Sequence, residues 1–145
     1  MYTPSSVAAK AYASVGLESG VMSASPHQLI ALLYEGAELA VRMAIRHMRD
    51  HDIEKKSAAI TKATSIILDG LRAALDMRHN SELAAQLDAL YAYMVKRIMD
   101  AHISNAVEPL EEVLGLLREL REAWTRIGSI QAAAAPSFSH HPVAA

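Results

Sequence analysis

The sequence contains no cysteine and few aromatic residues, and both shortages restrict what this chain can be. Without cysteine, the chain can form no disulfide, no thiol nucleophile and no thiolate metal site. Aromatic residues make up 5% of the 145 residues, and the chain holds 6 glycines and 5 prolines. Hydrophobic residues, largely Ala and Leu, make up 52%. This composition favours helices over a sheet.

The chain also lacks a strong charge of one sign and a long apolar run. Its formal net charge is -2 and its pI is about 6.4, which excludes the basic field that nucleic acids or anionic membranes attract. Charged residues interrupt every apolar run before it reaches the ~20 residues of a membrane span. No signal peptide is visible at the N-terminus. We therefore predict a cytoplasmic protein without nucleic-acid binding or direct membrane insertion.

Capping signals and apolar stripes divide most of the chain into four predicted helices. Ser25 followed by Gln28 forms a capping box, and Asp52 can cap a second helix. A third helix starts at Asn80 or Ser81, and a fourth starts within residues 105–109. Short turns between these helices predict an all-α, antiparallel up-and-down four-helix bundle.

Three parts of the chain follow from this pattern. We predict a mobile N-terminal arm over residues 1–24, in which residues 7–14 could form a short helix, and a four-helix bundle over residues 25–127. Residues 128–145, with small residues and prolines, are predicted to be a disordered tail.

Histidines offer the strongest candidates for chemistry, and none of them completes a catalytic motif. His47 and His51 have the spacing of a helical zinc site, but Met48 stands where the metalloprotease motif has its Glu. Asp76 and His79 resemble half of a di-iron motif without a second copy. We therefore expect no metal, no cofactor and no enzyme activity.

A phosphotransfer bundle is the rival hypothesis, because it needs one exposed histidine in the middle of a helix. His47 and His102 are the candidates, and neither has an activating motif beside it. A solvated surface histidine is the simpler interpretation of both.

An excess of apolar residues favours a binding protein instead. Mean hydropathy is +0.12, which is high for a soluble domain. The second predicted helix carries two apolar stripes, and Met77, Met94 and Met99 lie in or beside the stripes of the middle helices. Methionine suits adaptable partner surfaces, although it also fills gaps in a core. Val7 and Tyr12 are apolar groups on an arm that could lie over a groove of its own bundle.

Several runs of residues resemble one family in the right order. The run Tyr12–Gly36, and within it Ser23-Ala-Ser-Pro-His-Gln-Leu-Ile30, resembles the opening of the flagellin-specific export chaperone (FliS) family. The runs Ala63–Asp76 and Leu87–Arg97 resemble its middle helices, and Glu111-Glu-Val-Leu with Ala123-Trp124 resembles its closing segment. Gln86 departs from the Asn often found at that point in the family.

This resemblance implies a cytoplasmic chaperone that binds the disordered C-terminal segment of flagellin. It implies that the chaperone prevents premature polymerisation and delivers its client to the cytoplasmic domain of the flagellar type III export gate protein, without a cofactor. The client-binding groove is predicted at Leu33, Tyr34, Leu71, Leu75, Tyr91 and Met94. The N-terminal cap and export-gate contact is predicted at Val7 and Tyr12.

Overall fold

The computed structural model describes residues 4–15, 25–76 and 81–144. Within these ranges, side chains are described from residue 7 to residue 128. The described chain is helical, with no strand in these three ranges. Its elements in chain order are α1 (Pro4–Ser14), α2 (Pro26–Arg49), α3 (Ile53–Ser65), a π-helix (Ile66–Arg72), α4 (Ser81–Ser104) and α5 (Glu108–Ala144).

The predicted caps are confirmed at the starts of α2 and α3. The hydroxyl of Ser25 accepts from the backbone N–H of Gln28 at 3.2 Å, and the Gln28 side chain accepts from the backbone N–H of Ser25 at 2.9 Å. The carboxylate of Asp52 accepts from the backbone N–H of Lys55 at 3.1 Å. His51 follows α2 with a φ of 58°, a left-handed conformation that ends the helix.

The all-α bundle is confirmed by the order in which the helices contact one another. Helix α2 packs against α3, α3 against α4, α4 against α5, and α5 returns to α2. Short connections make consecutive neighbours antiparallel. The stripes meet in a core whose largest fully buried side chains include Leu33, Ile67, Met94, Leu110 and Leu117.

The second predicted helix differs from expectation, because α3 ends at Ser65 and the chain continues as the π-helix. Of the two apolar stripes predicted along this helix, one includes Ile67 and Leu71 and the other includes Ile66 and Gly70, and these four residues are buried in the π-helix. A π-helix bonds each N–H one residue further back than an α-helix does, and such segments often lie at functional sites. Met77, in the predicted second stripe, lies outside the described residues.

Helix α5 continues to Ala144 through the tail that the sequence predicts to be disordered. The alanine run at 132–135 has the highest intrinsic helix propensity, which favours this continuation. The division of the chain at residues 24 and 127 stays a prediction. Across the described residues, no helix combines the length and the apolar character that a membrane crossing requires.

Candidate functional site

Helix α1 lies across α2 and the π-helix and covers the apolar surface between them. Its inner face consists of Ala8, Ala11, Tyr12 and the adjoining Val15, each at most 6% exposed. Three of these four side chains are apolar and small or branched, so the contact is mainly a hydrophobic one. We call the surface under α1 the α1 seat, meaning the part of α2 and the π-helix that α1 covers.

Gly70 lets the three elements of the α1 seat approach closely. A Cβ at Gly70 would lie 2.8 Å from Cδ2 of Leu33 on α2 and 3.3 Å from Cγ1 of Val15. The first distance is shorter than a carbon–carbon contact at its optimum of ~3.5–4.0 Å. The glycine in the predicted second stripe therefore has a packing role between α1, α2 and the π-helix.

Two hydrogen bonds attach the C-terminal end of α1 to the bundle. The hydroxyl of Ser14 donates to the carbonyl oxygen of Asp69 at 3.1 Å, besides its bond to the carbonyl of Ala11. The ammonium of Lys62 donates to the carbonyl oxygen of Val15 at 3.3 Å. Both acceptors are backbone carbonyls, and both donor side chains are on exposed residues, where a hydrogen bond contributes little net stability because water competes for the donor.

The predicted site residues lie at several depths. Val7 is half-buried on α1 and Tyr12 is buried against the bundle. Five of the predicted groove residues are buried in the core and Leu75 is half-buried; the buried ones are Leu33, Tyr34, Leu71, Tyr91 and Met94. Leu33 adjoins the α1 seat through Gly70. The assignment of these residues to a groove stays a prediction.

Two of the predicted groove residues form a buried polar pair. The hydroxyl oxygens of Tyr34 on α2 and Tyr91 on α4 lie 2.6 Å apart, so one hydroxyl donates to the other. Burial raises the pKa of Tyr91 far above its ordinary value, and burial also raises the pKa of Tyr34. Both phenols therefore stay neutral, and each satisfies the other inside the core.

The side of the bundle between α2 and α5 holds a cluster of stronger polar contacts that sequence reasoning missed. The carboxylate of Glu38, 3% exposed, accepts from the guanidinium of Arg121 at 2.5 Å. Sequence spacing predicts a pair between Glu38 and Arg42, and these charged groups lie 3.8 Å apart. Because Arg121 is 83 residues away, no local spacing signal could identify the closer partner.

A histidine and a tryptophan tie the start of α2 to α5. The rings of His27 and Trp124 stack with centroids 4.5 Å apart and planes 6° apart. The indole N–H of Trp124 donates to the carbonyl of His27 at 2.9 Å, and Nε2 of His27 donates to the carbonyl of Trp124 at 2.8 Å. This reciprocal contact fixes the ends of the two helices against each other.

The histidines considered for chemistry are not arranged for it. His51 lies beyond the end of α2, so it does not continue the helical spacing from His47. His47 and His102 lie in the last turns of α2 and α4 and are half-buried, whereas a phosphoryl acceptor needs an exposed position within a helix. His79 lies outside the described residues. Within the described ranges, no group of three or more His, Asp or Glu side chains is placed to hold a metal ion.

These features define a class of protein: an all-α bundle with an N-terminal helix packed over an apolar surface. Comparison with known proteins narrows that class. The family model for the flagellar protein FliS matches residues 8–131. This chain belongs to the FliS family.

Curated relatives match over most of their length. The flagellar secretion chaperone FliS of Salmonella typhimurium is 46% identical over 88% of this chain and 93% of its own. The flagellar secretion chaperone FliS of Escherichia coli is 40% identical over 92% of this chain and 95% of its own. The flagellar secretion chaperone FliSB of Pseudomonas aeruginosa is 42% identical over 83% of this chain and 94% of its own.

Proposed function

We propose that this protein is a non-enzymatic, cytoplasmic export chaperone for flagellin. In this proposal it binds the disordered C-terminal segment of flagellin, prevents premature polymerisation, and presents the client to the cytoplasmic domain of the flagellar export gate protein. Membership of the FliS family supports the general role, since the relatives are named flagellar secretion chaperones. The seating of α1 on the bundle is the structural observation that supports the mechanism.

The α1 seat suits a polypeptide client because it already holds an apolar helix. Ala8, Ala11 and Tyr12 cover it through side-chain packing, and the side chains of Ser14 and Lys62 add hydrogen bonds to backbone carbonyls. A client helix with a similar apolar face could replace the packing contacts of α1. Release of α1 would then open the surface beside Leu33 to the client.

The bundle beneath α1 is suited to remain folded during this exchange. A disordered client loses conformational freedom when it binds, which lowers the affinity obtained per unit of buried surface. A rigid scaffold does not add its own folding cost to that loss. The ion pair of the buried Glu38 with the partly exposed Arg121 and the stack of His27 and Trp124 hold α2 and α5 together.

We assign α1 two roles in the same cycle. While α1 is seated, Val7 and Tyr12 shield the apolar surface. Once a client displaces the helix, both side chains become available to the export gate protein. In this proposal, the export gate protein distinguishes a client-bound chaperone by its released α1.

The test is a calorimetric titration with a peptide of about 50 residues, long enough to wrap a domain as an extended chain, from the C-terminus of the host's flagellin. We expect one-to-one binding with a large negative heat-capacity change, because apolar surface is buried as the client becomes ordered. Tyr12→Ala should raise the affinity about three- to tenfold, because a displaced α1 no longer competes. Tyr93→Ala, which removes an exposed ring on α4, is the matched control.

Two results would count against this proposal. Absence of heat with a folded bundle would refute flagellin binding. If Tyr12→Ala and the parent protein bound the peptide with equal affinity, flagellin would stand as the client but competition by α1 would be refuted.

A further inference from the structure

A second apolar groove lies between α2 and α3. Its volume is about 370 Å³, and it is lined by residues of these two helices only, within the described chain. We call it the α2/α3 groove and define it by Leu39, Ala40 and Met43 of α2 with Lys55, Ala59 and Lys62 of α3. The side chains of Leu39 and Met43 are 54% and 36% exposed, so large apolar groups face solvent here.

The shape of the groove suits a helix. Leu39 and Met43 are one helical turn apart and form a wall along α2. Small residues, among them Ala40 and Ala59, form the base of the groove. Small residues at the base let the backbone of a third helix come close to both α2 and α3. An amphipathic helix that lies in a groove of this kind buries anchors three or four residues apart.

Two lysines along the α3 edge of the groove indicate which charge a partner should carry. Lys55 and Lys62 are seven residues apart on α3, which places them about 10 Å apart along one face. His47 is the other titratable residue of the lining, and among the described residues that line the groove none carries a carboxylate. Lys55 makes no ion pair within the described chain, and Lys62 has the backbone carbonyl of Val15 as its acceptor. The lining itself therefore offers these two ammonium groups no carboxylate.

We propose that the α2/α3 groove binds an amphipathic helix of a second protein, with an apolar face for Leu39 and Met43 and carboxylates about two turns apart for Lys55 and Lys62. The two lysines are complementary to an acidic edge on the partner helix, and the exposed side chains of Leu39 and Met43 are complementary to its apolar face. The groove and the end of α1 share Lys62, which also donates to the carbonyl of Val15. The proposed interaction gives the protein a second protein-binding surface besides the one proposed for its client.

The experiment uses two synthetic helical peptides of about 18 residues, five helical turns. Both carry leucines at three- and four-residue spacing, and one carries glutamates two turns apart where the other carries lysines. Fluorescence anisotropy with the full-length protein measures binding. We expect the glutamate peptide to bind at least about tenfold more tightly, a difference of ~1.4 kcal/mol. High salt should reduce the difference because it screens exposed charges.

Variants of the protein locate the binding. Lys55→Glu should remove the preference for the glutamate peptide, and Met43→Gln should weaken it about tenfold. Lys96→Glu changes an exposed lysine on α4 and is the matched control, with no expected effect. Lys62 is left unchanged because it also bonds to the end of α1.

Four outcomes would overturn the proposal. Equal binding of the two peptides, or equal effects of Lys55→Glu and Lys96→Glu, would exclude recognition of an acidic edge. Self-association that Met43→Gln abolishes, without peptide binding, would assign the groove to a second copy of the chain. Displacement of the glutamate peptide by the flagellin segment would make the groove part of the client site, while the proposed chaperone function would stand.

Discussion

The two sides of α2 are held in different ways. Toward α5, a buried carboxylate binds a guanidinium and an imidazole stacks on an indole. Toward α1, small apolar side chains pack around Gly70, and two side chains bond to backbone carbonyls. The first side is held by specific polar partners, whereas the second is held largely by apolar packing.

This difference separates stability from exchange within one small fold. Segments that move are drawn from the least stable parts of a structure, where few strong contacts must break together. Strong polar pairs lie between α2 and α5, and neither pair includes a residue of α1. The predictions below test this separation, from the largest expected effect to the smallest.

Arg121→Ala should cause the largest loss of stability. It leaves the buried carboxylate of Glu38 without its closest partner, and Arg42 lies 3.8 Å from that carboxylate and is half-exposed. Removal of one member of a buried pair costs about 3–5 kcal/mol, and the partial exposure of Arg121 reduces this to roughly 2–4 kcal/mol. Urea unfolding followed by circular dichroism measures the change.

Arg118→Ala on the exposed face of α5 is the control for Arg121→Ala. It should change the unfolding free energy by less than about 0.5 kcal/mol. Similar losses in the two variants would show that the contact with Glu38 does not stabilise the bundle. Hydrogen exchange in α1 should not rise selectively in Arg121→Ala, because α1 lies on the other side of α2.

Removal of one tyrosine hydroxyl from the core should have the next largest effect. Tyr91→Phe leaves the hydroxyl of Tyr34 buried without a partner, which costs about 1–3 kcal/mol. The double variant Tyr34→Phe, Tyr91→Phe removes both hydroxyls and should be close to the parent protein in stability. Thermal unfolding of the parent, Tyr34→Phe, Tyr91→Phe and the double variant gives the coupling energy. Additive losses would contradict a mutual hydrogen bond.

Local signals explain which parts of this architecture the sequence predicts. The caps at Ser25 and Asp52 depend on residues within one turn, so the starts of α2 and α3 are predictable. The apolar stripes likewise predict the bundle. The pair Glu38 and Arg121 depends on two distant segments meeting, which no spacing rule describes.

Two other features depend on the packed fold. An α-helical pattern continues through residues 66–72, yet the backbone adopts a π-helix there. The predicted arm could be placed over a groove in general terms, but the role of Gly70 appears only when Leu33 and Val15 are located beside it. The family resemblance suggested groove residues, and the structure places most of them in the core of the bundle with α1 seated.

Gly70→Ala should loosen α1 more than it destabilises the bundle. The added methyl group would meet Leu33 at 2.8 Å and Val15 at 3.3 Å, and the resulting overpacking costs about 1–2 kcal/mol before relaxation. We expect faster hydrogen exchange in α1 and a smaller change in global unfolding. Gly115→Ala on α5 is the matched control, since a Cβ there has no atom within 4 Å. That variant should gain up to about 1 kcal/mol of helix propensity.

If the amides of α1 were equally protected from hydrogen exchange in Gly70→Ala and in the parent, Leu33 would have made room for the methyl group without moving α1. Selective loss of protection in α1 would show that the glycine maintains its seat. This comparison distinguishes local release from weakening of the whole protein.

The smallest effect is expected from an exposed cluster between α4 and α5, and it depends on pH. The hydroxyl of Tyr93 donates to Glu112 at 2.6 Å and the guanidinium of Arg97 donates to it at 2.7 Å. These hydrogen bonds lower the pKa of Glu112 below its ordinary value of 4.5. Because the pKa is lower in the folded state, the contribution to stability is present above about pH 4.5 and is lost as pH falls through the lowered pKa.

Glu112→Gln should therefore melt slightly below the parent protein at neutral pH, and the difference should disappear as the pH falls through the lowered pKa of Glu112 and the parent's carboxyl becomes protonated. Glu119→Gln on the same helix is the matched control. Calorimetric melting across this pH range measures both variants. A constant difference at all pH values would mean that shape, not ionisation, explains the loss. Disappearance of the difference at low pH would assign it to the charged cluster, which stabilises the contact between α4 and α5 away from α1.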